Sequence, residues 1–238
     1  MKSRINYIKA LLLLVLVGFL FGFAEHRHKS RKISEVEIEF LEDENLYVTE
    51  EAVNKLLIQN NLEVTSIDKE TLDLNRVESL LNNHDMIDNA EVYLHLDGKL
   101  KADIIQRKPI GRVVGNSSFY LDKNGEVMPL SIYYSARVPL LFGFTEENVK
   151  AVFPLVDYIK KDKFLTQHIT GINRLNNGKF ELEMRKLDFT VYFGTVKNIP
   201  LKFNNFKAFY KKALKDEKLD TYKEVNLQFG NQVVCTKK

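Results

Sequence analysis

The sequence has few of the residues that staple or loosen a chain. Its 238 residues include a single cysteine, Cys235, which excludes an intramolecular disulfide framework and any multi-cysteine zinc or iron–sulfur site. Glycine (11) and proline (5) are sparse, well below the level of a disordered or linker-dominated chain, while 45% hydrophobic residues suffice for a core. There is no G-x-x-x-x-G-K-[ST], no G-x-G-x-x-G and no G-x-S-x-G, so phosphate cradles and nucleophile elbows have no candidate. His26 and His28 sit two apart, and His84, His95 and His168 are scattered without H-E-x-x-H or other ligand spacing. The chain is therefore expected to use no catalytic residue, metal, cofactor or small-molecule substrate. Cys235, with no neighbouring histidine, reads as a small core residue.

Charge of one sign is scarce overall, since 35 Lys/Arg against 32 Asp/Glu leave +3. The excess is local. Residues 1–32 hold seven basic residues (Lys2, Arg4, Lys9, Arg27, Lys29, Arg31, Lys32) against Glu25, a net +6, which leaves −3 for residues 33–238. The body of the protein thus lacks a basic nucleic-acid footprint.

The basic end brackets an apolar stretch, ALLLLVLVGFLFGFA from Ala10 to Ala24, extended by Tyr7 and Ile8 if Lys9 snorkels. Residues 7–24 would be roughly 27 Å long as a helix, near the lower limit for spanning hydrocarbon. Two readings compete. Lys2, Arg4 and Lys9 with the small-x-small Gly22-Phe23-Ala24 suit a signal peptide cut after Ala24. The basic cluster Arg27, Lys29, Arg31 and Lys32 favours an uncleaved anchor with a short tail (residues 1–6) and a juxtamembrane linker (residues 25–32). Either reading expects the long C-terminal part to be translocated.

Beyond the linker, Val36, Ile38 and Phe40 alternate with Glu35, Glu37 and Glu39, the period of a strand with one wet face. Thr49 before Glu50-Glu51 predicts a helix start, with Val53, Leu56 and Leu57 following at helical spacing. A second helix is expected at residues 75–83, with Leu74, Val77, Leu80 and Leu81 on one side. Alternating runs at 91–96 and 99–107, joined by Asp97-Gly98, read as a hairpin. A strand-helix-helix-strand-strand unit over 33–110 results, a three-stranded sheet with two helices on one face.

Residues 111–238 read as a second, sheet-rich, mostly antiparallel α+β domain. Strands are expected at 112–114, 119–121, 126–128, 138–143, 169–173, 179–185 and 189–193, with Asn177-Gly178 as a hairpin turn. A helix at 146–161 would kink or break at Pro154, and another at 200–214 buries Phe203, Phe206 and Tyr210. Lys207, Lys211, Lys212 and Lys215 read as its solvent face. The chain closes on one expected strand, 224–235. A last strand with no successor leaves a sheet edge open to an extended partner. The candidate partner-binding residues are Val225, Leu227, Gln228, Phe229, Gln232 and Val234, with core packing as the equal alternative for Val225, Leu227 and Phe229, since alternate positions on a strand face opposite sides.

The ordered motifs resemble the FtsQ/DivIB family of bitopic cell-division proteins. Residues 33–110 are similar to its POTRA domain, with Asn89-Ala90-Glu91-Val92 matching the A-x-V strand start. Arg107-Lys108-Pro109-Ile110-Gly111 resembles E-R-x-P-x-A, with Gln106 in place of the acid and Gly111 in place of the alanine. In the second domain, the run from Tyr120 to Val127 resembles l-v-D-x-x-G-x-v, and Val138 to Gly143 resembles l-P-x-l-x-G. Val225 to Phe229 resembles I-D-L-R-y, with Asn226 and Gln228 replacing Asp and Arg.

The resemblance implies a single-pass inner-membrane protein with a cytoplasmic N-terminus and a periplasmic bulk, located at the division septum. It implies binding to FtsB-like and FtsL-like membrane-anchored proteins and a link to septal peptidoglycan synthesis, with further divisome components reached through the POTRA-like domain. The alternative is a POTRA-containing component of outer-membrane assembly or secretion.

Overall fold

The computed structural model describes residues 11–23, 33–42, 46–58, 72–230 and 232–238. Helix α1 occupies residues 11–23, with every side chain exposed. Residues 7–10 and 24, the ends of the expected span, lie outside the described residues, as do the tail (1–6) and the linker (25–32). Among the described residues no helix is long and apolar enough to cross a membrane. The chain divides into two compact units, residues 1–106 and 107–238. The division falls between Gln106 and Arg107.

In the first unit, β1 (Glu35–Phe40) is followed by α2 (Glu50–Ile58), α3 (Leu74–Asn82), β2 (Ile87–Leu94) and β3 (Lys99–Gln106). The sheet order is β1-β3-β2, with β1 parallel and β2 antiparallel to β3. The helices start where their caps dictate. Thr49 Oγ1 accepts the Ala52 amide at 3.2 Å, and Asp73 Oδ1 accepts the Arg76 amide at 3.0 Å. The even-numbered residues of β3, Leu100, Ala102 and Ile104, are buried with Val53 and Leu81. Leu56 and Val77 are half-buried and Leu80 is exposed, so the helical faces reach the core more narrowly than their periodicity predicts. On the wet face, Lys99 pairs with Glu35 at 2.6 Å, and Lys101 pairs with Glu37 at 2.9 Å. These hydrogen-bonded pairs lower the Glu37 carboxyl and raise both ammonium groups.

The second unit runs β4 (Pro109–Val114), β5 (Phe119–Asp122), β6 (Val127–Met128), β7 (Leu140–Phe142), α4 (Phe153–Lys161), α5 (Lys163–His168), β8 (Ile169–Arg174), β9 (Phe180–Met184), β10 (Thr190–Gly194), α6 (Ile199–Lys215), β11 (Tyr222–Asn226) and β12 (Val234–Lys237). All nine strands form one sheet in the order β12-β11-β10-β9-β8-β7-β4-β5-β6. Five of its eight pairings are antiparallel; β10/β11, β4/β7 and β7/β8 are parallel. Val156 and Ile159 of α4 and Phe203 and Phe206 of α6 are buried in one core with Leu141, Ile172, Leu182, Val191 and Val225 from the strands. Each such side chain contributes about 1.5–3 kcal/mol by leaving water.

The break expected near Pro154 in the helix over 146–161 is found, with a 3₁₀ turn at Val149–Ala151 and α4 starting at Phe153 with Pro154 in its first turn, where no N–H is needed. Helix α5 went unpredicted. It starts because Asp162 leaves the helical region (φ −116°) and its carboxylate accepts the Leu165 amide at 3.0 Å. The single strand expected at 224–235 is two strands, β11 and β12, paired antiparallel with each other.

Candidate functional site

The nine-stranded sheet ends in β6 on one side, only two residues long, and in β12 on the other. β12 is the edge strand long enough to template another. Asn226 faces Val234, Val225 faces Cys235 and Glu224 faces Thr236, while Lys223 is the extra residue of a bulge beside Lys237. Two hydrogen bonds fix the direction of the backbone groups. Lys238 N donates to Thr221 O at 3.0 Å, so Lys238, and by alternation Thr236 and Val234, face β11. Leu227 N donates to Tyr192 O at 2.9 Å, which turns Leu227 and Val225 toward β10 and leaves Asn226 and Glu224 for β12. Both routes put the N–H and C=O of Cys235 and Lys237 on the open edge.

The side chains divide by face. Cys235 is half-buried and packs against the core with Val233, and burial raises its thiol pKa. Val234 and Thr236 point to the opposite, exposed side. Beneath the edge, Phe209 of α6 meets Tyr222 edge-on at 5.3 Å. Lys238 pairs with Asp188 at 3.2 Å at the strand end.

The six sequence-derived candidates separate. Val225 (0% exposed) and Leu227 (1%) are core residues and offer no side-chain surface to a partner. Gln228, Phe229 and Gln232 lie in the exposed connection between β11 and β12, and Val234 opens β12. Gln228 Oε1 accepts from Lys179 Nζ at 3.0 Å, and Asn226 Oδ1 accepts the Gln228 amide at 3.0 Å. Asn205 of α6 holds the Gly230 carbonyl at 3.0 Å. The backbones of Cys235 and Lys237 went unnoticed in the sequence. The available signal was Gly230, a breaker between two extended runs.

Behind the edge, Lys202 of α6 is 7% exposed, and its ammonium donates to Phe193 O at 2.8 Å and Thr195 O at 2.7 Å. It lies 4.5 Å from the Phe193 ring centroid. Burial lowers its pKa. The first carbonyl lies in β10 and the second just past its end, so Lys202 secures the end of the strand on which β11 and then β12 are built.

In the first unit, Gln106 (4% exposed) explains its own identity. Its Oε1 accepts the amides of Tyr47 and Val48 at 2.9 and 3.2 Å, and its Nε2 donates to Val48 O at 3.3 Å. A carboxylate could do the first but not the second. Among the described residues, no group of three or more His, Cys, Asp or Glu side chains is placed to hold a metal ion.

No curated protein matches the chain. The family model for a POTRA-like domain matches residues 31–105, and the model described as FtsQ/DivIB, C-terminal related, matches residues 108–236. Since that second match alone covers more than half of the 238 residues, the chain belongs to the FtsQ/DivIB family, with a role in cell division.

Proposed function

We propose that the protein is a non-enzymatic divisome scaffold that captures an extended segment of a partner by strand addition to β12. The carrying observation is the pair of outward backbones at Cys235 and Lys237 on the outer strand of the sheet. Each pairing gained there is worth about 0.5–1.5 kcal/mol net, so a short segment needs side-chain contacts as well. Val234 and Thr236 on one face, with Phe229 and Gln232 beside them, supply those contacts. In this reading the partners are FtsB-like and FtsL-like membrane-anchored division proteins, through which the scaffold is linked to septal peptidoglycan synthesis. Other division proteins bind the POTRA-like unit.

Residues 7–24 anchor the chain in the inner membrane, leaving the N-terminus in the cytoplasm and both units in the periplasm at the septum. The apolar, wholly exposed face of α1 supports this placement. The match over residues 108–236 favours the division role over an outer-membrane assembly component.

The test is Cys235→Pro in the full chain. Proline deletes an outward N–H while leaving the ladder to β11 intact. Capture of FtsB-like and FtsL-like chains is expected to fall at least tenfold with unfolding unchanged. Undiminished capture by folded Cys235→Pro would rule out strand addition.

A further inference from the structure

Where α5 runs into β8, the second unit carries a cleft of about 880 Å³ lined by Arg137, Arg185, Thr166 and Thr170, with Val138 and Ile169 as its apolar part. No acidic side chain lines it, and neither arginine makes an ion pair among the described residues. Arg185 is held in place through Nε, which donates to Gln167 O at 2.9 Å and leaves the outer nitrogens of the guanidinium for a ligand. Arg137 is exposed. Two guanidinium groups without a neutralising acid create a positive site whose planar forks suit carboxylates.

A second cleft, of about 600 Å³, shares Gln167 and Arg185 with the first. Its lining is largely apolar, with Leu187, Tyr210, Leu214 and Leu219, and Leu214 is 56% exposed at the surface of α6. Glu217, Asp220, Lys186 and His168 also line this cleft. The two clefts therefore meet at Arg185, cationic on one side and apolar with a rim of mixed charge on the other.

We propose that the joined clefts are a second docking site, which takes an extended protein segment bearing a carboxylate side chain next to a large apolar one. The carboxylate pairs with Arg185 and Arg137, and the apolar neighbour packs on Tyr210 and Leu214. A small inorganic anion would fill little of this volume and leave the apolar lining wet, which is why a protein segment is the better occupant. Strand addition is read at a separate place, the outward N–H of Cys235, because β9, β10 and β11 lie between β8, where the arginine cleft sits, and the β12 edge.

The test titrates the full chain in detergent micelles with fluorescein-labelled hexapeptides containing Glu-Phe or Glu-Leu flanked by glycine and serine, read by anisotropy. Gln-Phe and Glu-Ser peptides are the controls. Saturable binding of the Glu-Phe peptide is expected, weakened at least tenfold by Arg185→Gln, by Arg137→Gln and by the Gln-Phe replacement. It is expected to be unchanged by Cys235→Pro and by millimolar inorganic phosphate. Arg137→Gln removes an exposed side chain and keeps the fold, so unaltered binding by that variant overturns the proposal. So does the absence of saturation up to on the order of 1 mM. Displacement by phosphate would mark a simple anion site, and loss in Cys235→Pro would place the peptide on β12; either result overturns it too.

Discussion

Arg107 and Asp122, fifteen residues apart, meet in an ion pair of 3.1 Å between Nη1 and Oδ2, with the Asp122 side chain completely buried. The other carboxylate oxygen, Oδ1, accepts the amides of Asn124 and Glu126 at 2.9 and 2.8 Å. Gly125 completes the turn at φ +81°, where an added Cβ would lie 3.2 Å from the Phe153 ring. Lys123 N donates to Lys108 O at 2.9 Å beside the pair. Two stretches that read as separate motifs, one carrying Arg107 and one carrying Asp122, are the two halves of a single joint between β4 and β5.

Breaking that joint from one side strands a buried charge. Arg107→Ala is expected to cost about 3 kcal/mol, because Asp122 remains buried while Arg107 itself is partly solvated. Asp122→Asn keeps an oxygen for the two amides and costs less. The double variant is expected to lose less than the sum of the two singles in urea unfolding; strict additivity would show that the pair carries no coupling.

Gln106→Glu is expected to destabilise the first unit by about 1–3 kcal/mol, since it buries a charge and turns the contact with Val48 O repulsive. Gln106→Leu, which also removes the acceptor of the Val48 amide, is expected to speed hydrogen exchange at Val48. Exchange unchanged from the parent chain would mean that Gln106 does not hold this segment.

Gly111→Ala places a Cβ 2.9 Å from Leu141 Cδ1 and 3.4 Å from Val156 Cγ1, inside the packed second unit. Overpacking of this kind costs about 1–3 kcal/mol. Leu141→Val in the same chain opens the space, and the double variant is expected to melt above Gly111→Ala alone. Failure of Leu141→Val to improve on the single variant would place the conflict elsewhere.

Asp162 caps α5 and pairs with Lys207 of α6. Burial alone would raise its carboxyl, but the Lys207 ammonium and the Leu165 amide outweigh it and hold the group below its ordinary value of 3.8. Such a carboxyl stabilises the fold fully above its unfolded value, and the contribution disappears as pH falls through the lower folded value. Asp162→Asn is therefore expected to cost about 1–2 kcal/mol at neutral pH and to flatten the stability decline below pH 3.8. An unchanged acid limb in the unfolding profile would refute the assignment.

Much of the fold was legible because local periodicity and local chemistry coincide. Glu35 to Phe40 alternates and is β1, Thr49 caps α2, and Asp97-Gly98 joins β2 to β3. Helix α5 escaped notice because six residues are too few to display a 3.6-residue period, and only the Asp162 cap announces it. Lys202 reads as one more lysine on a basic helix, and its burial follows from the fold bringing the Phe193 and Thr195 carbonyls, at and just past the end of β10, onto its ammonium.

By itself the sequence determined the composition of the two units, most strand and helix positions, the apolar N-terminal stretch and the motifs that mark the family. Those properties depend on residues within a few positions of one another. Tertiary structure decided which strand is the edge. Val225 and Leu227 alternate as edge residues would, yet β12 folds back on β11 and transfers the open backbone to Cys235 and Lys237. Edge status depends on which strand is left without a neighbour, and that is a property of the whole sheet, not of any one strand's sequence.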